Sequence, residues 1–326
     1  MDLEPSSTAL MLSHIYTHKK VRNCHGTLRT LVSETLRHAE RPQNHTHTED
    51  GMSTPPPVHA AIHRGASPHE VIELMERGES PNCAFEGITP LERAVLRRRA
   101  DLVAPLVSMG ACVNPLGESY LLMAVMGRDV DTVTALLRAG AKVTEAPNGR
   151  SLLLVAMDKA DSASSKLVHA LLQAGMDPRD GGSRGAMPIL KAASMSNTAV
   201  AIDNVKELLK MGARADDSGK RGLTSLMTCS RAEVARALVD AGADPAARCS
   251  LGLTCLDYAA IRGESVAYLE ALISLGADPS NGRAACLALA RGFGAQAAFL
   301  KYTASMCERS TNPARRALAR HQVASV

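Results

Sequence analysis

The sequence is short of several residue types and patterns on which many protein classes depend. It has no tryptophan, and aromatic residues make up only 2% of its 326 residues. No apolar run approaches the 18 or more residues of a transmembrane helix. No Cys-x-x-Cys pair, Gly-x-Ser-x-Gly nucleophile motif or Gly-rich phosphate loop occurs. The core must therefore be built from Leu, Val, Ala and Met, and the usual motifs of membrane spans and nucleotide-dependent enzymes are missing.

Charge and cysteine content point to a soluble, cytoplasmic protein. The net charge of +4 and the pI of about 8.6 are mild values that do not require a polyanionic partner. Eight cysteines are present, several at positions that are otherwise Ala or Ser, so we interpret them as small buried apolar residues. Asp2 and Glu4 lie where a secretory signal would carry positive charge. A reducing compartment without a disulfide framework is predicted.

The stretch 254–278 contains one complete structural unit. Thr254 is a good N-cap for a first helix, and a second helix follows with Leu272 and Ile273 on its apolar side. Gly276 then stands where a helix ends in a left-handed residue. Each helix has a single apolar side, so the unit cannot bury its core alone.

The same unit recurs along the chain, with a glycine at each second-helix end. These glycines are Gly78, Gly110, Gly140, Gly175, Gly212, Gly242 and Gly276. Apolar pairs stand four and three places before each glycine: Leu74/Met75, Leu106/Val107, Leu136/Leu137, Leu171/Leu172, Leu208/Leu209, Leu238/Val239 and Leu272/Ile273. A repeated unit with a fixed apolar pattern predicts a solenoid in which each repeat packs on its neighbours.

The first helix of each unit opens with a second recurring motif, which carries a family resemblance. Thr89-Pro90-Leu91 and 57–61 (PVHAA) come near the sequence TPLHxAA, and GADP turns occur at 242–245 and 276–279. In these two motifs the sequence resembles the ankyrin repeat family over about residues 57–302. The resemblance implies an all-α ankyrin-repeat solenoid of about eight helix-turn-helix units with hairpin fingers between them. It also implies a binding function without a shared catalytic activity, in which a histidine at position 59 is structural.

The domain organisation follows from the repeats. Helix pairs are predicted to open near 57, 89, 119, 151, 187, 224, 254 and 285, against a family period of about 33 residues. Residues 1–56 are predicted to be a disordered, His-rich leader with a short helix over 26–41, and Met52 offers a second possible start. Residues 303–326 are predicted to be a basic tail. The long inter-helix segments of repeats four and five are expected to be loops.

Enzyme and metal chemistry find little support in the sequence. His14/His18 and His59/His63 are spaced i, i+4, but no third or fourth metal ligand has suitable spacing. His169 is interpreted as an edge residue of a second helix rather than a general base. The Gly-rich segment 181–185 follows a helix rather than a strand, so we interpret it as a hairpin tip. We expect no enzymatic activity, no cofactor and no metal.

The basic residues of the repeats are candidates for a nucleic-acid site, and the alternative is an ordinary solvent-exposed surface of mixed charge. Residues 97–99 are three consecutive arginines, but the fingers between 176 and 284 carry seven cations against six acids. Such a balance gives little attraction for phosphates, and few aromatic residues are available to stack on bases. We therefore predict neither nucleic acid nor membrane partners.

The remaining candidate is the surface of the array, and the prediction is a monomeric protein-binding module acting as a scaffold, adaptor or inhibitor. Its partner is expected on the concave helix and finger face. Candidate contact residues on the fingers are Glu86, Glu118, Asn148, Arg150, Arg179, Arg184, Lys220, Arg221, Arg248 and Leu251. The alternative is a bacterial effector, exported through its polar leader, that acts on host proteins through the same repeats.

Overall fold

The computed structural model describes residues 55–115, 119–143, 146, 149–183 and 185–309, with side chains to residue 306. The expected leader helix, most of the expected tail, and Glu118, Asn148 and Arg184 lie outside these residues. The described part contains sixteen α-helices in eight consecutive pairs. The eight-unit all-α solenoid is therefore confirmed.

The helices follow one another in regular first and second members. The pairs are α1 (Pro57–Arg64) and α2 (Pro68–Glu76), α3 (Pro90–Leu96) and α4 (Ala100–Ser108), α5 (Tyr120–Gly127) and α6 (Val130–Arg138), α7 (Leu152–Ala156) and α8 (Ser162–Gln173), α9 (Pro188–Ala193) and α10 (Thr198–Lys210), α11 (Ser225–Thr228) and α12 (Ala232–Asp240), α13 (Cys255–Arg262) and α14 (Val266–Ser274), and α15 (Arg283–Ala290) and α16 (Gly294–Arg309). First helices pack on neighbouring first helices and second on second, which gives two rows. The segments that join one pair to the next are the fingers.

Local signals define most helix ends as the sequence predicts. The hydroxyl of Thr89 accepts from the Glu92 amide at 3.2 Å, and Thr254 forms a reciprocal capping box with Asp257. Met187 has no capping side chain, and α9 begins there with Pro188 alone. The seven stop glycines all have positive φ, between 85° and 107°. Because a Cβ disfavours that conformation, glycine allows the chain to leave each second helix sharply.

The core is the apolar stripe of the second helices. The residue seven places before each stop glycine is fully buried in all seven copies, from Val71 to Leu269. The leucine four places before the stop glycine is also buried in repeats two to seven, and Leu136 and Leu208 have 0% exposure. In repeat one the register differs, since Met75 is buried there and Leu74 is half-exposed. Each stripe is covered by the adjacent repeat.

Repeats four and five differ from the expectation of long loops. Their extra residues are absorbed into helix, since α8 has 12 residues and α10 has 13, whereas α4, α6, α12 and α14 have nine. Asp161 and Asn197 cap the two lengthened helices through their side chains. Asn204, fully buried on α10, donates to Ser164 on α8 at 3.3 Å. The helix lengthens because a cap and a buried polar contact are available to the added turn.

The ends of the array also differ in detail from the sequence interpretation. Helix α11 is a single turn, because Cys229 takes an extended conformation directly after it. Helix α15 begins at Arg283 rather than near 285. The glycines thought to interrupt the last repeat instead lie between its helices: Gly292 has φ +82°, and Gly294 begins α16. That helix continues past residue 302, where the tail was expected to start.

Truncating a buried leucine tests whether each repeat is stabilised only by contacts with its neighbours. We expect Leu136→Ala or Leu208→Ala to lower the free energy of unfolding by about 2–5 kcal/mol through cavity formation. Neighbouring repeats should then unfold at different denaturant concentrations, because each contacts only its neighbours. Urea titration followed by circular dichroism measures this, with half-exposed Leu209→Ala as the control. An unchanged, single transition in both variants would contradict the core assignment.

Candidate functional site

One position on the first helices changes its chemistry from repeat to repeat while the frame around it stays constant. In repeats two to seven the buried anchor of the first helix is always aliphatic: Leu91, Leu121, Leu153, Ile189, Leu226 and Leu256. The residue two places later is half-exposed in every copy and is a different type each time: Arg93, Met123, Val155, Lys191, Thr228 and Tyr258. We call these six residues the first-helix face. A constant core with a variable surface position separates folding from recognition.

Four of the predicted finger residues come together on two adjacent fingers. Lys220, Arg221, Arg248 and Leu251 are all exposed, Leu251 to 45%. The Ser250 amide donates to the Arg221 carbonyl at 2.8 Å, which holds the two turns against each other. We call these four residues the finger patch. The finger patch combines three cations with one exposed leucine. Glu86, another predicted contact residue, is exposed on a separate finger, which is closed by a β-bridge between Phe85 and Ile88.

Arg179 has a structural role as well as an exposed position. Its guanidinium forms an ion pair at 2.8 Å with Asp217 of the next finger, whose side chain is only 5% exposed. Four residues after their stop glycines, Asn82 and Asn114 make equivalent bridges, each accepting an amide hydrogen bond from the next finger. Arg179 occupies the same position in repeat four. It therefore belongs to a ladder of polar contacts that joins successive fingers.

Arg150 links its finger to the first-helix face. It donates two hydrogen bonds to Asp158, at 2.6 and 2.9 Å, and one to the Leu154 carbonyl. The ammonium group of Lys191 lies 3.9 Å from the same carboxylate. Burial lowers the pKa of Lys191, with Asp158 opposing the shift and Arg150 adding to it. Two cations share one acid here, so this part of the face favours a negatively charged partner group.

His59 connects repeat one to repeat two. The Nε atom of Arg93 donates to its Nδ1 at 3.1 Å, so Nε2 carries the proton and donates to the Cys83 carbonyl at 2.9 Å. Burial lowers the pKa of His59, the Cys83 hydrogen bond opposes the shift, and the charge of Arg93 adds to it. The structural role implied for this histidine is therefore right, and its partners lie in the following finger and in repeat two.

The arginine run at 97–99 joins repeats. Arg98 donates to the Gly127 carbonyl of repeat three at 2.9 Å. Arg99 donates to the Ala66 carbonyl of repeat one at 2.6 Å and also forms two hydrogen bonds to the Asp101 carboxylate. Arg128, Arg231, Arg262 and Arg291 make the corresponding contacts to first-helix carbonyls or turns elsewhere. The positive charge that suggested phosphate binding is thus used to hold neighbouring repeats together.

The other chemistry-bearing candidates are also accounted for by packing. Within the described residues no group of three His, Cys, Asp or Glu side chains is placed to hold a metal ion. His169 is exposed on α8 and contacts Glu207 of α10 at 2.8 Å. In the Gly-rich segment, a Cβ on Gly182 would lie 2.5 Å from the Gly149 carbonyl oxygen, so two fingers touch there. Glycine serves close backbone approach at this point.

The described cysteines differ in burial, and Cys83 is half-buried. Cys229, Cys249 and Cys255 are buried, as their interpretation as small apolar residues predicts, and burial raises the pKa of Cys255 to about 12. Cys112 and Cys286 are exposed, which that interpretation did not anticipate. All six cysteines whose side chains are described are free thiols. Among the described helices, none has the length and apolarity needed to cross a membrane.

Comparison with solved structures identifies the fold. The human ASB11 ankyrin repeat domain superposes with a TM-score of 0.51 at 23% identity, covering 67% of this chain and 97% of that one. The ankyrin repeat domain of Bcl-3, a member of the IkappaB protein family, gives 0.52 at 24% identity, covering 68% and 99%. This chain has the ankyrin-repeat fold. No protein-family model and no curated protein matches it in sequence.

Removing one arginine of the 97–99 run tests the joints of the ankyrin array. We expect Arg99→Ala to lower the free energy of unfolding by about 1–2 kcal/mol, because the Ala66 carbonyl loses its charged donor. Exposed Arg97→Ala, the adjacent control, should change it by no more than about 0.5 kcal/mol. Amide hydrogen exchange would locate the loss in α1 and α2. Equal effects of the two substitutions would show that the joint contributes nothing.

The neutral His59 should make the first repeat sensitive to acid. Its folded pKa lies below the ordinary 6.5, so on acidification the unfolded chain takes up a proton before the folded chain does. The stabilisation is therefore complete above about pH 6.5 and declines as the pH falls toward the folded pKa. We expect the urea midpoint to fall between pH 7 and pH 5, and His59→Gln to remove much of that slope. His63→Gln, an exposed control, should keep it; an unchanged slope in His59→Gln would refute the assignment.

Proposed function

We propose that this chain is a non-catalytic protein-binding module that recognises a partner through the first-helix face and the finger patch. The observation that carries the proposal is the variation of one half-exposed position through Arg93, Met123, Val155, Lys191, Thr228 and Tyr258 on a constant buried frame. Some of these side chains also make contacts within the array, such as Arg93 with His59 and Tyr258 with Cys249, but such contacts do not require a different residue type in every repeat. A partner that meets each repeat in turn gives a reason for this variation.

The electrostatics of these surfaces indicate what the partner should carry. Lys191 and Arg150 share Asp158 on the face, and the finger patch adds Lys220, Arg221 and Arg248. An exposed leucine lies among the patch cations, and Met123 and Val155 provide apolar contacts on the face. A protein segment that combines acidic with apolar side chains complements both surfaces.

The proposed location is the cytoplasm, and the proposed state is a monomer. Six free cysteines in the described part of the chain suit a reducing compartment better than an oxidising one. The role as an exported effector is the alternative for the same binding surface. Expression with and without residues 1–51 separates the two, since export that depends on this leader would favour the effector.

Affinity capture with matched baits tests the proposal. The full chain, Lys220→Glu/Arg221→Glu and Met123→Glu serve as baits in an extract of the producing organism, with bound proteins identified by mass spectrometry. The control bait is Arg236→Glu/Lys301→Glu, which reverses two exposed cations on α12 and α16. We expect a partner that is retained by the control and reduced at least tenfold by either test bait.

The other outcomes are equally informative. A partner lost only with the control bait would place recognition on the second helices and overturn the proposed surface. A partner retained by all four baits would exclude both the finger patch and the middle of the first-helix face. Capture from a host extract alone would favour the effector role over a resident adaptor.

A further inference from the structure

A groove lies on the opposite row of helices, over α6, α8 and α10 of repeats three to five. It has a volume of about 880 Å³ and is open to solvent. Its floor lies over α8, where Ser165, Ala170 and, directly after the helix, Ala174 have small side chains; the longer side chains of Lys166, His169 and Gln173 also line it. The walls are longer side chains of the flanking helices, including Val130 and Leu137 on α6. Small residues on the middle helix between larger ones on its neighbours produce a trough along α8.

The dimensions of the trough match one α-helix. Helix α8 has 12 residues and is therefore about 18 Å long. Packed helices are about 8–10 Å apart, so α6 and α10 lie about 16–20 Å apart across α8. Side chains of the two walls fill part of that width, and an α-helix with its side chains is about 10–12 Å across. The residues that line it on α8 begin at Ser165 and those on α10 begin at Asp203, so the trough follows the part of each helix that all repeats share.

The charges of the trough are unbalanced. Arg138, Lys166 and Lys206 are exposed in it, and no acidic side chain in the described part of the chain lies within ion-pair distance of them. Glu207 is held by His169 at 2.8 Å and approached by Lys210 at 3.9 Å, which leaves Asp203 as the acid without an ion pair among the lining residues. Three unpaired cations therefore face one unpaired acid. An occupant with acidic side chains along its edges would neutralise them.

We propose that this groove is a second docking site, which receives an amphipathic α-helix of a partner protein, apolar toward α8 and acidic along both edges. The apolar side contacts Ala170, Ala174 and the Val130/Leu137 wall. Acidic residues at the edges reach Lys166 and Arg138 on one part of the rim and Lys206 on the other. The site lies on the second helices, so it is independent of the first-helix face and can be occupied at the same time.

A displayed library of three-turn helical peptides, randomised over all positions, tests the proposal on the full chain. Selection is run in parallel on the wild type and on Ala170→Trp, in which the indole fills the floor of the trough. The control is Ala237→Trp, because Ala237 stands at the same distance from its stop glycine on α12, is equally half-buried, and does not line the groove. Far-UV circular dichroism verifies that each variant keeps its helices.

We expect peptides enriched on the wild type and on Ala237→Trp, but not on Ala170→Trp, to carry apolar residues at i, i+3, i+4 and i+7 with Asp or Glu beside them. Their affinity, measured by fluorescence anisotropy, should fall at least tenfold in Lys166→Glu/Lys206→Glu and should weaken with added salt. Arg236→Glu/Lys301→Glu should leave it unchanged, and Arg236 stands at the register position of Lys206. These charge variants change exposed residues only, so they report even if Ala170→Trp does not fold.

Three results would overturn the proposal. Enriched peptides that bind Ala170→Trp as well as the wild type would occupy another surface. Enriched peptides without acidic residues, or with affinity unaffected by the lysine reversals, would refute the charge complementarity. Absence of any enrichment over the Ala170→Trp selection would show that the groove accepts no helix.

Discussion

Every part of this structure depends on one constraint: a helix with a single apolar side must find a cover outside its own repeat. The stripe on each second helix, from Val71 to Leu269, is covered only because another pair packs beside it. A single repeat has too little aromatic surface to form a hydrophobic core of its own, since the chain has no tryptophan and only three phenylalanines. Stability is therefore a sum of neighbour contacts, and the rest of the molecule is free to vary between those contacts.

Hydrogen bonds between neighbouring repeats fix the orientation in which the apolar sides of the repeats stack. Arginines such as Arg99 reach carbonyls of an adjacent repeat on one edge, while Asn82 and Asn114 bridge successive fingers on the other. Hydrogen bonds of this kind require a defined register, which apolar packing alone does not impose. The two edges together hold each repeat at a set position relative to the next. Surface residues that meet a partner are then presented at regular intervals.

The surfaces proposed for recognition consist largely of residues that these contacts between repeats leave exposed. Arg98, Arg99 and Arg179 are engaged within the array, so their charge is largely unavailable to a ligand. Lys220 and Leu251 are exposed on the fingers, and Met123 is half-exposed on a first helix. On the other row, a groove over α6, α8 and α10 carries the exposed cations Arg138, Lys166 and Lys206. The array therefore has two rows of helices with different surface chemistry.

The fold was predictable because its determinants are local and repeated. Each stop glycine, each Ser or Thr cap and each apolar pair acts within one helix, and their recurrence in register identifies the solenoid without any knowledge of contacts. Exposure of Lys220, Arg248 and Leu251 was also predictable, since turn residues of a solenoid face solvent. The expected loops of repeats four and five were wrong, because the capping residues Asp161 and Asn197 recruit the extra residues into helix.

The sequence by itself determined the repeat, its period, its helix ends and its buried stripe, because these depend on residues close together in the chain. Tertiary structure alone decided which charges remain available, since the partners of Arg99, Arg179 and His59 lie 24 to 38 positions away. It also decided where the groove lies, because the small side chains of α8 form a trough only between the larger ones of α6 and α10. Contacts between repeats, rather than composition, select the surfaces that can bind.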